Sequence, residues 1–157
     1  MNTEREAVLA VTAIVQLRLD DFTGLCVGTT KSHIIKAVGP IFAEGFAGGV
    51  RPLWMTVHEL SPTVRLTAWY ELADDASEPG VSPNHPVVWI ERPIILTQIT
   101  DLLNLPGSHR PARAGHLMAW TERGLCLRFS RRSRQPTTLF AYARMSESEF
   151  DQSSMVS

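Results

Sequence analysis

The stretch Gly115-His-Leu-Met-Ala-Trp-Thr-Glu-Arg-Gly124-Leu-Cys-Leu-Arg-Phe-Ser130, followed by Thr137-Thr-Leu-Phe-Ala-Tyr-Ala-Arg144, decides the fold. In its middle, Leu125, Leu127 and Phe129 alternate with Cys126, Arg128 and Ser130. Alternation of this kind is the pattern of a strand with two distinct faces. Residues 115–121 and 125–130 are joined by Glu122-Arg123-Gly124, a link of hairpin length. Pro136 closes the next turn before a third strand over residues 137–144. Three strands in succession with short connections predict an antiparallel sheet, because parallel neighbours need long crossovers.

Moving outward, residues 53–60 and 63–72 read as two further strands about a Ser61-Pro62 turn. Residues 87–96 read as another, with Pro93 arguing for an edge or a bulge. Leu9, Val11, Ala13, Val15, Leu17 and Leu19 also alternate, and β-branched density predicts a long strand over residues 8–19. A helix is the competing reading there, since residues 4–16 lack Gly and Pro. Thr29 or Thr30 is positioned to cap a short helix through Val38, stopped by Gly39-Pro40. Residues 41–49 read as a loop or broken helix, 73–86 as an exposed polar loop, 97–105 as a helix capped by Thr97, and 106–114 as a loop.

Together these predict an α+β fold, a single domain over residues 1–145. It has a mostly antiparallel, curved sheet of about seven strands with two or three short helices; a small closed barrel is the other architecture. Residues 146–157, acidic and serine-rich, predict a disordered tail. The apolar run 7–17 is too short to cross a bilayer, and Glu4 and Glu6 before it do not suit a signal peptide. Cys26 and Cys126 do not make a disulfide framework, which points to a reducing, cytoplasmic setting.

Charge is unevenly placed. Residues 108–145 hold eight arginines (Arg110, Arg113, Arg123, Arg128, Arg131, Arg132, Arg134 and Arg144), one acid, Glu122, and no lysine. Residues 1–107 hold seven basic and twelve acidic groups, and the whole chain has net charge −1. Arginine carries a permanent charge and a planar fork of donors that matches carboxylate and phosphate. Arg131, Arg132 and Arg134 crowd one turn, where they repel one another unless water, salt or an anion intervenes. The bland reading is a solvated tip facing the acidic loop at Asp74, Asp75 and Glu78. The functional reading is a docking surface of Arg128, Arg131, Arg132 and Arg134 for an acidic protein or nucleic acid. Trp120, Phe129, Phe140 and Tyr142 interleave with these strands, although alternation sets Phe129 opposite Arg128 and so toward the core.

Other patterns are weaker. Residues 24–32 look like a phosphate loop, but Lys31 falls one place late and no glycine precedes it. What remains is a helix N-terminus with Thr29, Thr30, Lys31 and Ser32 around free N–H groups, able to hold an anion or simply capped. His33, His58, His85, His109 and His116 have no partners at ligand spacing, so no metal is expected, and no cofactor motif occurs. His58-Glu59 has the composition of an acid–base pair. Cys126 shares a face with Arg128, which would lower its pKa, but no base can be assigned to it, so it reads as structural. Trp54, Trp69, Trp89 and Trp120 each fall in a predicted strand and read as core or pocket walls.

Arg92-Pro-Ile-Ile-Leu96 resembles the strand of chorismate lyases that supplies an arginine to the substrate carboxylate. Gly28-Thr-Thr-Lys31 resembles the start of that family's first helix, and Arg134-Gln-Pro136 its C-terminal hairpin. About a quarter of the chain corresponds in this way. The family's last-strand glutamate has no counterpart in residues 137–144. The resemblance implies an antiparallel α+β fold with an internal pocket for a small carboxylated ligand, held by Arg92 with Thr29, Thr30 and Lys31 nearby.

The function expected first is a non-enzymatic interaction protein, of inhibitor, immunity or viral structural type. It would use the arginine-rich hairpin on an acidic partner. The alternative is a small-carboxylate binding domain or enzyme built on Arg92. Head-to-tail homo-oligomerisation through an exposed strand edge is a third expectation.

Overall fold

Thr3–Val15 forms a helix, α1, not the strand expected over residues 8–19. Its buried residues, Ala7, Val11 and Ile14, recur at helical spacing, whereas Leu9 of the alternating set is 51% exposed. Glu4 and Glu6 sit in the first turn, where carboxylates favour the helix dipole. The helix ends in a Schellman motif: the Leu17 N–H donates to Ile14 O (3.1 Å) and the Arg18 N–H to Ala13 O (2.8 Å). Leu17 adopts φ 55 there, a place usually taken by glycine. These observations come from a computed structural model that describes residues 3–20, 22–47, 52–73, 80–112 and 115–153.

Helix α2 spans Lys31–Val38, with Thr30 extended at its N-cap and Gly39 at φ 95 past its end, as the sequence predicts. A Lys36–Glu4 ion pair ties it to α1. Then come strands β1 (Ala43–Ala47), β2 (Leu53–Ser61), β3 (Val64–Glu71) and β4 (Trp89–Pro93). A single 3₁₀ turn (Leu96–Gln98) and helix α3 (Thr100–Leu103) lead into β5 (Ser108–Ala112), β6 (Gly115–Trp120), β7 (Leu125–Ser130) and β8 (Pro136–Tyr142). Helix α4 (Glu147–Asp151) follows.

All eight strands pair antiparallel in one open curved sheet, order β1-β2-β3-β4-β8-β7-β6-β5. Two four-stranded meanders thus meet at β4 and β8, and among the described residues the α+β domain carries four short helices. The barrel alternative is excluded, because the sheet keeps two edges. Two strands exceed the expected set. β1 falls in the glycine-rich stretch read as a loop, and β5 in the stretch read as a loop because of its prolines. The helix expected over residues 97–105 is shorter and starts at Thr100, not at a Thr97 cap.

Pro93 sits in a central strand, contrary to the edge expected for it. Two features accommodate it. The β3 ladder stops at Thr67↔Glu91, and the next N–H, from Ile94, donates to Thr137 O. The proline's missing donor therefore falls on the side where no partner strand continues.

The main core lies between one sheet face and α1, α2 and α3, built from Val11, Ile14, Ile34, Leu66, Ile90, Leu127 and Leu139 among others. A second cluster covers the other face: Trp89, Leu117, Ala119, Cys126, Phe140, Tyr142 and Phe150. The strands of the junction are therefore apolar on both faces, as buried strands are. The second cluster corrects the expected disordered tail. Residues 147–151 form α4, Ser146 accepts from the Glu149 N–H at its N-cap, and Phe150 is 0% exposed. Arg110 on β5 pairs with both Glu147 and Asp151 and lies over the Phe150 ring. Residues 154–157 lie outside the described residues. No helix among the described residues is long and apolar enough to cross a membrane.

Candidate functional site

Strands β7 and β8 pair with each other and carry the turn between them. Leu125, Cys126 and Leu127 on one, and Leu139 to Tyr142 on the other, are all buried. The turn they hold carries Arg131, Arg132, Ser133, Arg134 and Gln135, every one exposed. The turn is fixed by backbone bonds from Ser130 N–H to Gln135 O (2.9 Å) and from Arg134 N–H to Ser130 O (2.9 Å). Arg134 takes φ 56, a left-handed backbone unusual for a residue with a side chain. Arg132 and Arg134 make no ion pair among the described residues. Asp74, Asp75 and Glu78, the expected neutralising loop, lie outside those residues, as does Arg113.

The other described arginines of residues 108–145 do not join this turn. Arg110 is neutralised by α4, its side chain 13% exposed. Arg123, half-buried, donates to Asp20 O at the opposite end of β7, where Arg144 also packs beside Gly24. Arg128 lies on the sheet face opposite Phe129, with its guanidinium 4.7 Å from the centre of the Phe140 ring. The run of positive charge in the sequence is thus dispersed over two ends and one face, and a compact triplet is left at the β7–β8 turn.

Directly behind that turn the sheet carries a ladder of rings. Phe129 stacks on His116 of β6, centroids 4.5 Å apart and planes 10° from parallel, and His116 meets His109 of β5 at 5.8 Å. Phe129 and His116 are half-buried and His109 is exposed. Phe129 also packs against the main core, as its alternation with Arg128 implies. The two histidines escape a reading by sequence, because residues 106–114 do not look like a strand. Only the pairings Pro111↔His116 and His116↔Phe129 bring the rings onto one face.

The residues of the small-ligand alternative are engaged elsewhere. Arg92 is buried, and it donates to Val15 O (2.5 Å) at the end of α1 and to Pro93 O (3.2 Å). It acts as a side-chain cap on that helix. At the α2 start, the Lys31 N–H donates to His85 O (3.1 Å), the Ser32 N–H to Pro83 O (2.9 Å) and Lys31 Nζ to Val81 O (2.9 Å). Thr29 is buried, with its hydroxyl on Cys26 O, and the Thr30 N–H donates to His33 Nδ1 (2.9 Å). These donors are therefore spent within the protein, on the loop over residues 81–87, on Cys26 and on His33. Neither Arg92 nor Thr29–Lys31 lines either of two surface clefts. One cleft, about 570 Å³, runs between α1 and α3 past Leu9, Ala13, Leu17, Phe22 and Leu102. The other, about 670 Å³, lies by α4 past Trp120, Thr121, Glu122, Arg123 and Glu147.

The remaining candidates are structural in geometry. His58 is buried, with Nε2 2.9 Å from Thr56 Oγ1 and Nδ1 3.1 Å from Gly39 O, and Thr56 continues the chain to Tyr70 Oη (3.0 Å). Glu59 is exposed on the opposite face, so the two do not form an acid–base pair. Burial pushes the Cys126 thiol up to about 12, overriding the nearby Arg128 and Arg110 charges, so no thiolate forms at neutral pH. Glu91, beneath the stacked Trp69–Trp89 pair, accepts from Trp69 Nε1 (2.6 Å), and burial raises its pKa. The four tryptophans are buried or half-buried within or beside the two cores. Among the described residues no group of three or more His, Cys, Asp or Glu is placed to hold a metal.

No family model matches the chain, and no characterised protein or solved structure is significantly similar to it.

Proposed function

We propose that this is a non-enzymatic binding protein that engages an acidic partner, protein or nucleic acid, through the arginine-bearing β7–β8 turn. The observation that carries the reading is the pair Arg132 and Arg134, exposed on one fixed turn and not ion-paired among the described residues. Charges about 8 Å apart in water repel by roughly 0.5 kcal/mol per pair, and an anion between them relieves that cost. The turn is closed by two backbone hydrogen bonds, so less order is lost when it binds. The chemistry of Cys126, His58 and Arg92 argues against a catalytic role for these groups: one thiol kept protonated, one imidazole saturated, one guanidinium committed to a helix end.

The test is charge reversal. Arg131→Glu, Arg132→Glu and Arg134→Glu together should abolish retention on a polyanion such as heparin, with the circular dichroism unchanged. Retention equal to that of the unmodified protein would end the reading.

A second reading, self-association, rests on a separate observation. β1 is an edge of the sheet among the described residues, it carries Phe46, 61% exposed, and it lacks a proline such as the one on β5, the other edge.

A further inference from the structure

We infer that the partner of the β7–β8 turn is a single-stranded nucleic acid, with a base stacked on His109, the exposed end of the ring line Phe129–His116–His109. This rests on the docking reading above and adds to it the ring system that cations alone do not explain.

Three planar side chains from three neighbouring strands stand in line on one sheet face, with centroid spacings of 4.5 and 5.8 Å. Phe129 and His116 are half-buried and stacked on each other, and the outermost ring, His109, is exposed and tilted 40° from His116. The cationic turn begins two residues beyond Phe129, which places backbone-neutralising charge next to a stacking platform. That pairing of elements is what a flexible single strand requires: guanidinium groups for its phosphates, π-faces for its bases. A duplex keeps its bases stacked inside and has no use for such a ladder. An acidic protein surface matches the arginines but not the rings. The phosphate contacts assigned are Arg132 and Arg134.

The experiment is fluorescence anisotropy of a labelled twelve-nucleotide oligo(dT) with the full chain, in parallel with heparin binding, across 50–200 mM salt. The unmodified protein is expected to bind the oligonucleotide. Arg132→Gln with Arg134→Gln is expected to flatten the slope of log K against log salt by about 1.4, the loss of two phosphate contacts on a single strand. His109→Ala is expected to weaken oligonucleotide binding about tenfold, the stacking of one base, and to leave heparin binding unchanged. His109→Phe, which keeps a ring, should retain the affinity.

If His109→Ala and His116→Ala bind the oligonucleotide as tightly as the unmodified protein, the stacking inference is overturned while the docking reading stands. If heparin binds and the oligonucleotide does not, the nucleic-acid assignment is overturned, and an acidic protein becomes the partner to seek. If neither polyanion binds at 50 mM salt, both readings fall together.

Discussion

Arg134 holds a left-handed backbone, φ 56, which costs a side-chain-bearing residue about 1 kcal/mol. It is exposed, and its backbone N–H already serves the turn. Replacing it with glycine should therefore stabilise the fold by about 0.5–1 kcal/mol in urea unfolding, while polyanion binding weakens. Opposite signs in the two measurements are what a strained functional position gives, and a loss of stability would mark Arg134 as a structural residue instead. Two buried groups set the pH dependence. His58 is held below its usual 6.5, chiefly by burial, with the Gly39 and Pro40 carbonyls pulling the other way. The unfolded chain takes up that proton first, so stability should fall as pH drops below 6.5 toward the folded value. Glu91 acts in the reverse sense. Burial raises it above 4.5, against the Trp69 hydrogen bond and the Arg128 charge. Its unfolded carboxyl ionises first, and stability should fall as pH rises from 4.5 toward the folded value. Unfolding titrations of His58→Gln and Glu91→Gln check this: each variant should lose its own slope and keep the other's, and unaltered slopes would refute the assignment. At this scale the sequence is only partly legible. It exposes the arginine turn, because polar turn residues need no partner, but it cannot show that Arg92 is spent on Val15, which is 77 positions away.

Helix α4 shows how a short element is held by what it covers. Five residues cannot form a stable helix alone, so α4 depends on Phe150, buried against Tyr142 at 5.4 Å, and on Arg110 between Glu147 and Asp151. Phe150→Ala should cost about 3–5 kcal/mol, read from the urea midpoint; a cost below about 1 kcal/mol would mean that α4 is not docked. Composition hides this element, because Ser146–Asp151 has one large apolar residue and its partner acids look like a solvated tail. The β6–β7 connection is legible for the opposite reason. Gly124 sits at φ 64, and a Cβ there would lie 2.2 Å from Tyr142 O, so the glycine the sequence offers is the residue the geometry needs. Period-two alternation located β2, β3, β6, β7 and β8, since each has an apolar set on at least one face. It misassigned α1, where a helix buried on one side mimicked alternation through Val11, Ala13 and Val15. It missed β1 and β5, edge strands whose glycine, proline and charge are the devices that edges use to stay unpaired.

Over the whole molecule the charge split survives folding in weakened form. The β5–β8 meander with α4 holds eight arginines against four acids (Glu122, Glu147, Glu149 and Asp151), while residues 1–107 hold twelve acids against seven bases. Folding sends the described arginines to two ends and one face of the sheet, a dispersal no linear reading can foresee, because neighbours on a meander face opposite ways at each turn. The two meanders join at β4 and β8, so the acidic half ends in the β1 edge and the basic half in the β5 edge. Opposite net charge on the two halves favours a head-to-tail contact between copies, and the exposed Phe46 on β1 supplies the apolar part. Sedimentation equilibrium at 20 mM salt and high concentration should then give a mass above the 17.4 kDa of one chain, falling toward it at 300 mM salt. Phe46→Ala leaves the charge of that edge unchanged and removes only the ring, so it should lower the mass at 20 mM salt without abolishing the salt dependence. A single-chain mass for the unmodified protein at low salt removes self-association. It leaves the arginine turn untouched, because that turn lies at the ends of the central strands and not along either edge.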